Sequence, residues 1–94
     1  MEIESIRHKG LKRLATKGDR RVMEADRLMD MLSFIVAAAS IDDLQTPPNF
    51  GFHALTGDRS GTYAMTVTRN WRMTFTLAGG GTIADLDLED YHGR

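Results

Sequence analysis

The sequence predicts an α+β domain of two layers, in which two helices pack on one face of an antiparallel sheet. Two observations carry this prediction. Residues 8–39 repeat apolar side chains at steps of three and four, which is the period of a helix, whereas residues 50–89 alternate apolar and polar side chains, which is the period of a strand. The pair Pro47-Pro48 separates the two halves. Because the chain has 94 residues and shows neither a repeat nor a linker, we expect a single domain over residues 1–94.

The N-terminal half is predicted to hold a short strand and two helices. Residues 2–7 alternate weakly and are expected to form the opening strand. A first helix over 8–17 would place its leucines on one face and its basic residues on another. Gly18 is expected to end that helix, and Asp19 to cap a second helix over residues 20–39.

The C-terminal half is predicted to be an antiparallel meander, with the helices covering one of its faces. Glycine-rich segments at 57–61 and 79–81 supply two of its turns. Alternation places the four strands at 50–55, 63–68, 71–77 and 82–89.

Composition favours a soluble protein and disfavours several kinds of site. Charged residues make up 27% of the chain, and its net charge is −1. The chain has no cysteine, and its three histidines lie too far apart for a local zinc pair, so we expect neither a metal nor a cofactor. The longest apolar run, residues 34–39, is too short to cross a membrane, and the first ten residues lack a secretory pattern. A cytoplasmic protein is expected.

The charge is unevenly distributed along the chain. Residues 1–27 carry eight basic and five acidic side chains, whereas residues 28–94 carry four basic and eight acidic ones. Such asymmetry indicates either one anionic and one cationic partner or an ordinary solvated surface.

Several polar residues on the predicted meander suit phosphodiester chemistry. Arg72 is out of phase with Trp71 and Met73, and His53 is out of phase with its apolar neighbours, so both are expected to face away from the helices. An imidazole can transfer a proton near neutral pH, and a guanidinium can stabilise charge on phosphate oxygens. Each residue alone fits a solvated side chain. Together they predict a metal-free, ribonuclease-like site formed by His53, Arg59, Arg72, Tyr91 and His92.

Five segments resemble, in order, the HigB-type toxins, the plasmid maintenance killer family of the RelE superfamily. They are HKGLKRL at 8–14, SIDDL at 40–44, FHALTGDRSGTYAMTV at 52–67, NWRMTF at 70–75 and LEDYH at 88–92. The resemblance implies a RelE-like domain and a bacterial toxin held by a helix-turn-helix, HigA-like antitoxin encoded alongside it. The free toxin would enter the A site of the 70S ribosome and cut the mRNA there.

The resemblance also implies roles for individual residues. His53, Arg72, Tyr91 and His92 match family residues that support in-line attack by the ribose 2′-hydroxyl, which gives a 2′,3′-cyclic phosphate. His92 or His53 would transfer the proton, Arg72 would bind the phosphate, and Tyr91 would serve in packing or orientation. Contacts to RNA or to the ribosome are expected from the first helix and from a turn of the meander, namely from Lys9, Lys12, Arg13 and Arg59.

This chain departs from the family pattern in two respects. Thr56 stands where relatives commonly have a lysine, and the isoelectric point of about 6.3 is lower than the basic values usual for relatives. The alternative interpretation is therefore a RelE-fold toxin that acts by binding, such as a gyrase-directed ParE-like toxin, or a degenerate toxin.

Overall fold

The computed structural model describes residues 1–91 and has the predicted α+β architecture. Two α-helices, α1 (Lys9–Lys17) and α2 (Ala25–Ala37), precede four strands. The strands form one antiparallel sheet in chain order, with β1 at His53–Ala54, β2 at Thr62–Thr66, β3 at Trp71–Ala78 and β4 at Thr82–Asp90. Short 3₁₀ helices occupy Ile41–Gln45 and Gly57–Arg59. None of the helices within residues 1–91 is long and apolar enough to cross a membrane.

The helices cover one face of the sheet because helical and strand side chains form a common core. Met65 of β2 lies opposite Met73 of β3, and Met73 lies opposite Leu88 of β4, so these three side chains share one face. We call it the inner face, and the opposite one the outer face. Full burial of each such side chain stabilises the fold by about 1.5–3 kcal/mol. The helices contribute Leu11, Leu14, Leu28, Met31 and Ile35 to the same cluster.

The second helix starts later than the sequence predicts. Gly18 ends α1 in the left-handed conformation, as expected, but α2 begins at Ala25 and not at Arg20. Asp19 does not cap α2, because its carboxylate accepts hydrogen bonds from the backbone and the guanidinium of Arg21 and so closes a local turn. Glu24, with φ of 53°, then takes a left-handed conformation directly before the helix.

The predicted opening strand is not regular. Residues 2–7 run alongside β4 and form only two isolated parallel bridges, Ile3 to Ile83 and Ile6 to Leu86. The segment therefore covers the β4 edge of the sheet without extending the ladder.

The first strand of the meander is shorter than predicted because residues 49–51 adopt left-handed conformations. Phe50 is held there by an edge-on contact with Phe34, at 5.5 Å between ring centroids, and by the Arg27 guanidinium 5.0 Å from its ring centroid. Gly51 is required next to it, because its φ is 67° and a Cβ would lie 2.9 Å from the Thr66 hydroxyl oxygen. The remaining β1 strand lies at the edge of the sheet.

Candidate active site on the outer sheet face

The structure places His53 and Arg72 on the outer face, as the sequence predicts. His53 lies opposite Ala64, and Ala64 lies opposite Thr74, so these three residues point to one side. Arg72 is two residues before Thr74 on β3 and shares that side. Because β1 and β3 are separated by β2, their backbones are about 10 Å apart. The two candidate residues therefore share a face without lying side by side.

Arg72 is oriented by an aromatic ring and by a turn. Its guanidinium carbon lies 4.6 Å from the ring centroid of Tyr91, which follows β4. Its Nη1 donates at 2.8 to 3.2 Å to the backbone carbonyls of Thr68, Arg69 and Trp71. These contacts fix the plane of the guanidinium and leave Nε and Nη2 without a hydrogen bond within residues 1–91. Arg72 is therefore arranged as a donor for an external acceptor.

Arg59 is instead bound by a carboxylate. Its Nη1 and Nη2 donate to Oε1 and Oε2 of Glu89 at 2.8 and 2.7 Å, and the hydroxyl of Thr74 donates to Oε2 of the same group. Arg59 belongs to the β1–β2 connection and Glu89 to β4, so the pair reaches across the outer face. Thr74 is only 2% exposed beside it. The outer face is thus partly covered at its centre.

The Arg59–Glu89 pair alters the acid–base properties of both groups. Hydrogen bonds from Arg59 lower the pKa of Glu89, with a smaller contribution from Thr74, and the carboxylate raises the pKa of Arg59. Glu89 stays ionised, and its charge compensates that of Arg59. Glu89 is not among the site residues predicted from the sequence. The available signal was its phase on β4, which places it directly opposite Arg72.

A cavity of about 230 Å³ opens beside Arg59 and Tyr91. It brings Thr56, where the family resemblance leads us to expect a lysine, into the same cavity as Arg59 and the ring of Tyr91. Its lining consists of Leu55, Thr56, Arg59, Glu89, Asp90 and Tyr91. Position 56 is therefore close to the candidate site.

Of the two candidate imidazoles, only that of His53 belongs to the residues that the structure describes. His53 is exposed on β1, and its Nδ1 lies 2.9 Å from the carbonyl oxygen of Gly51, which orients the ring. His92 lies outside the described residues. Among residues 1–91, no group of three or more His, Asp or Glu side chains could hold a metal ion.

The basic residues of the first helix lie in the other layer of the molecule. Lys9, Lys12 and Arg13 are exposed on α1. They do not join the outer face, so any RNA contact they make is separate from the Arg72–Tyr91 cluster. Of the four predicted RNA-binding or ribosome-binding residues, only Arg59 lies next to the candidate site.

The fold and this site together define a toxin of the RelE-like class. Residues 4–92 match the family of HigB-like toxins, described as the RelE-like toxin of the type II toxin–antitoxin system HigB. The chain belongs to this family, which confirms the resemblance found in its motifs, and a toxin of such a system has an antitoxin as its partner. It is also 40% identical, over 93 residues, to Endoribonuclease HigB of Proteus vulgaris. That alignment covers 96% of this chain and 99% of the relative.

Proposed function

We propose that this toxin is an endoribonuclease that cuts mRNA in the A site of the ribosome. The observation that carries the proposal is the Arg72 guanidinium, held in one plane by Tyr91 and the β2–β3 turn with donors left for an anion. A guanidinium so fixed can bind two phosphate oxygens at once without losing further conformational freedom. The name of the relative, Endoribonuclease HigB, supports the same activity.

The proposed reaction is an in-line transesterification within the RNA. The ribose 2′-hydroxyl oxygen attacks the adjacent phosphorus while the bond from phosphorus to the 5′-oxygen breaks. One group accepts the proton of the 2′-hydroxyl, and another donates a proton to the leaving 5′-oxygen. The products are a 2′,3′-cyclic phosphate and a 5′-hydroxyl end. Arg72 would stabilise the charge that develops on the non-bridging oxygens.

We propose His92 as the preferred candidate for proton transfer and His53 as the alternative. His92 is the next residue after Tyr91, whose ring contacts Arg72, whereas His53 lies on β1, two strands away from Arg72. A single imidazole near neutral pH can supply a proton-transfer function at this site. Tyr91 orients the guanidinium of Arg72.

The partners follow from the proposed reaction and from the distribution of charge. The exposed cations of α1 would contact ribosomal or messenger RNA, and the cytoplasm is where both are found. We propose a helix-turn-helix antitoxin of the HigA type, encoded next to the toxin. The acidic end of β4 would meet basic side chains of that antitoxin.

One observation favours a second function, a toxin that acts by binding alone: the charge of Arg59 is neutralised by Glu89. A phosphate that approaches the centre of the outer face meets an ion pair and not a free cation. A toxin that acts only by binding, such as a gyrase-directed one, would need no phosphate site there.

The test is to map the 5′ ends of cellular mRNAs after induction of the wild-type toxin and of Arg72→Ala. The nuclease proposal expects new 5′-hydroxyl ends inside coding regions, in register with translated codons, for the wild type only. Purified ribosomes programmed with a defined message should yield the same ends. Growth arrest without new ends would refute cleavage, and accumulated gyrase–DNA breaks would then support the second function.

A further inference from the structure

A second cleft lies on the inner side of the sheet, between α1, the α1–α2 connection and the start of β3. Its volume is about 450 Å³, within the range of pockets that hold small ligands. Three cations, Lys9, Arg13 and Arg21, line it together with one carboxylate, Asp19, and the half-buried ring of Trp71. We call it the α1–β3 cleft. A cationic wall beside an aromatic ring is the composition that unpaired nucleotides bind.

The carboxylate in the α1–β3 cleft binds two of the cations and neutralises only part of their positive charge. Asp19 accepts hydrogen bonds from the guanidinium of Arg21, the shortest at 2.5 Å, and lies 3.8 Å from Nε of Arg13. The hydrogen bond from Arg21 is the main reason why the pKa of Asp19 is lowered, so the carboxylate stays ionised. Lys9 forms no ion pair within residues 1–91. Three positive charges against one negative charge leave the cleft attractive to an anion.

The position of Trp71 connects the cleft with the candidate active site. Trp71 and Arg72 are neighbours on β3, so their side chains point to opposite faces at the same end of the sheet. The α1–β3 cleft is therefore separated from the Arg72–Tyr91 cluster by the ends of β3 and β4 only. A single RNA strand passing around this end would meet both surfaces.

We propose that the α1–β3 cleft binds one unpaired RNA nucleotide, with its base against Trp71 and its phosphate between Lys9, Arg13 and Arg21. The inference rests on the proposed function and extends it by a second RNA contact, which can come from the message or from ribosomal RNA. The proposal also separates the basic residues of α1 into two groups, because Lys9 and Arg13 line the cleft and Lys12 does not. Lys12 borders a different hollow, with Glu4 and Ser5, and lies outside the cleft.

The chain offers a direct readout, because Trp71 is its only tryptophan. Purified toxin is titrated with single-stranded hexauridylate while the tryptophan fluorescence is recorded at several salt concentrations. We expect saturable quenching. The double variant Lys9→Ser/Arg13→Ser should bind about tenfold more weakly and show a salt slope shallower by roughly 0.7 for each charge removed. The matched control is Arg20→Ser, which removes a charge from the α1–α2 connection outside the cleft, where Arg20 pairs with Asp26, and should bind like the wild type.

Three outcomes would overturn the proposal. One is tryptophan fluorescence that does not change when single-stranded RNA is added. Another is quenching that Arg72→Ala abolishes while Lys9→Ser/Arg13→Ser leaves it intact, because the signal would then come from the outer face. The third is quenching by polyglutamate but not by RNA, which would assign the cleft to an acidic protein segment.

Further arms identify the source of the nucleotide and separate this inference from the proposed nuclease activity. Weaker co-sedimentation of Lys9→Ser/Arg13→Ser with empty ribosomes would support ribosomal RNA, and weaker co-sedimentation with programmed ribosomes only would support the message. The same preparations are assayed for cleavage of ribosome-bound mRNA. Quenching without cleavage would keep the RNA contact and refute the nuclease. Cleavage without quenching would keep the nuclease and refute the RNA contact.

Discussion

Two arginines on the outer face have different partners, and the contrast indicates where an RNA phosphate would bind. Arg72, at one end of β3, donates within the described part of the chain only to carbonyl groups, and it lies over an aromatic ring. Arg59, in the β1–β2 connection, forms a two-point ion pair with Glu89. Carbonyls and a ring orient a guanidinium and leave its charge uncompensated, whereas a carboxylate orients it and neutralises it.

The register of the sheet makes this contrast unexpected. Glu89 lies directly opposite Arg72 on the outer face, where a cross-strand ion pair would ordinarily form. Arg59 forms the pair with Glu89 instead, and a further hydrogen bond from Thr74 holds the carboxylate in place. Because the Glu89 carboxylate is bound by Arg59, it does not neutralise Arg72, and the Arg72 end of the outer face stays cationic. We infer that the Arg72 end serves the reaction and the Arg59–Glu89 end serves the fold.

The largest expected effect tests this division of roles. We expect Arg72→Ala to lower cleavage of A-site mRNA by about 10³-fold, because it removes a pre-positioned donor to the phosphate. Arg72→Lys should recover little, since an ammonium can neither bind two oxygens in one plane nor stack as a guanidinium does. Single-turnover cleavage on programmed ribosomes measures both.

The matched control for Arg72→Ala is Arg59→Ala on the same face. It should reduce cleavage far less and lower the free energy of unfolding instead. Binding of the antitoxin by a folded Arg72→Ala protein confirms that its fold is intact. Equal losses of cleavage in the two variants would remove the distinction between the two ends.

The next effect concerns the imidazoles. We expect His92→Gln to slow cleavage by about 10²-fold or more, since glutamine keeps hydrogen bonding but cannot ionise. His53→Gln should cost less, because His53 lies on the edge strand away from Arg72. The pH dependence of single-turnover cleavage by the two variants decides between them. If the cleavage rate of His53→Gln no longer fell at acidic pH, while that of His92→Gln fell as in the wild type, proton transfer would be assigned to His53 and not to His92.

Thr56 provides a gain-of-function test at the border between the two ends. It lines the cavity that also holds Arg59, Glu89 and Tyr91, so a lysine there would bring an ammonium close to the site. We expect Thr56→Lys to raise single-turnover cleavage about tenfold, which corresponds to ~1.4 kcal/mol of barrier. The rate is compared with that of Thr56→Gln, a variant of similar reach without the charge. A folded, ribosome-bound Thr56→Lys protein that is no faster would mean that position 56 is not in the site, or that another residue already supplies this function.

Much of this arrangement could be predicted from the sequence, because side-chain period is a local property. The alternation around Trp71 and Met73 assigns Arg72 to the outer face, and the register confirms it. The ion pair between Arg59 and Glu89 could not be predicted, since the two residues are thirty positions apart and meet only after the β1–β2 connection folds over the sheet. The short β1 strand was missed for another reason. Phe50 takes a left-handed conformation that its residue type disfavours and that tertiary contacts with Phe34 and Arg27 support.

The smallest expected effect tests the proposed structural role of Glu89 through pH. Because the pKa of Glu89 is lowered in the folded protein, its contribution to stability is complete above its unfolded pKa of about 4.3 and is lost as the pH falls through the lowered value. At pH 7 we expect Glu89→Gln to reduce the free energy of unfolding by about 1 kcal/mol, since the amide keeps part of the hydrogen bonding to Arg59 and Thr74. The difference between wild type and variant should narrow as the pH is lowered below 4. Urea unfolding at pH 7 and at pH 3.5 measures this narrowing, with Asp58→Asn, an exposed acid in the same connection as Arg59, as the control. A difference that stays constant across this range would mean that the shape of the side chain, and not its charge, holds Arg59 in place.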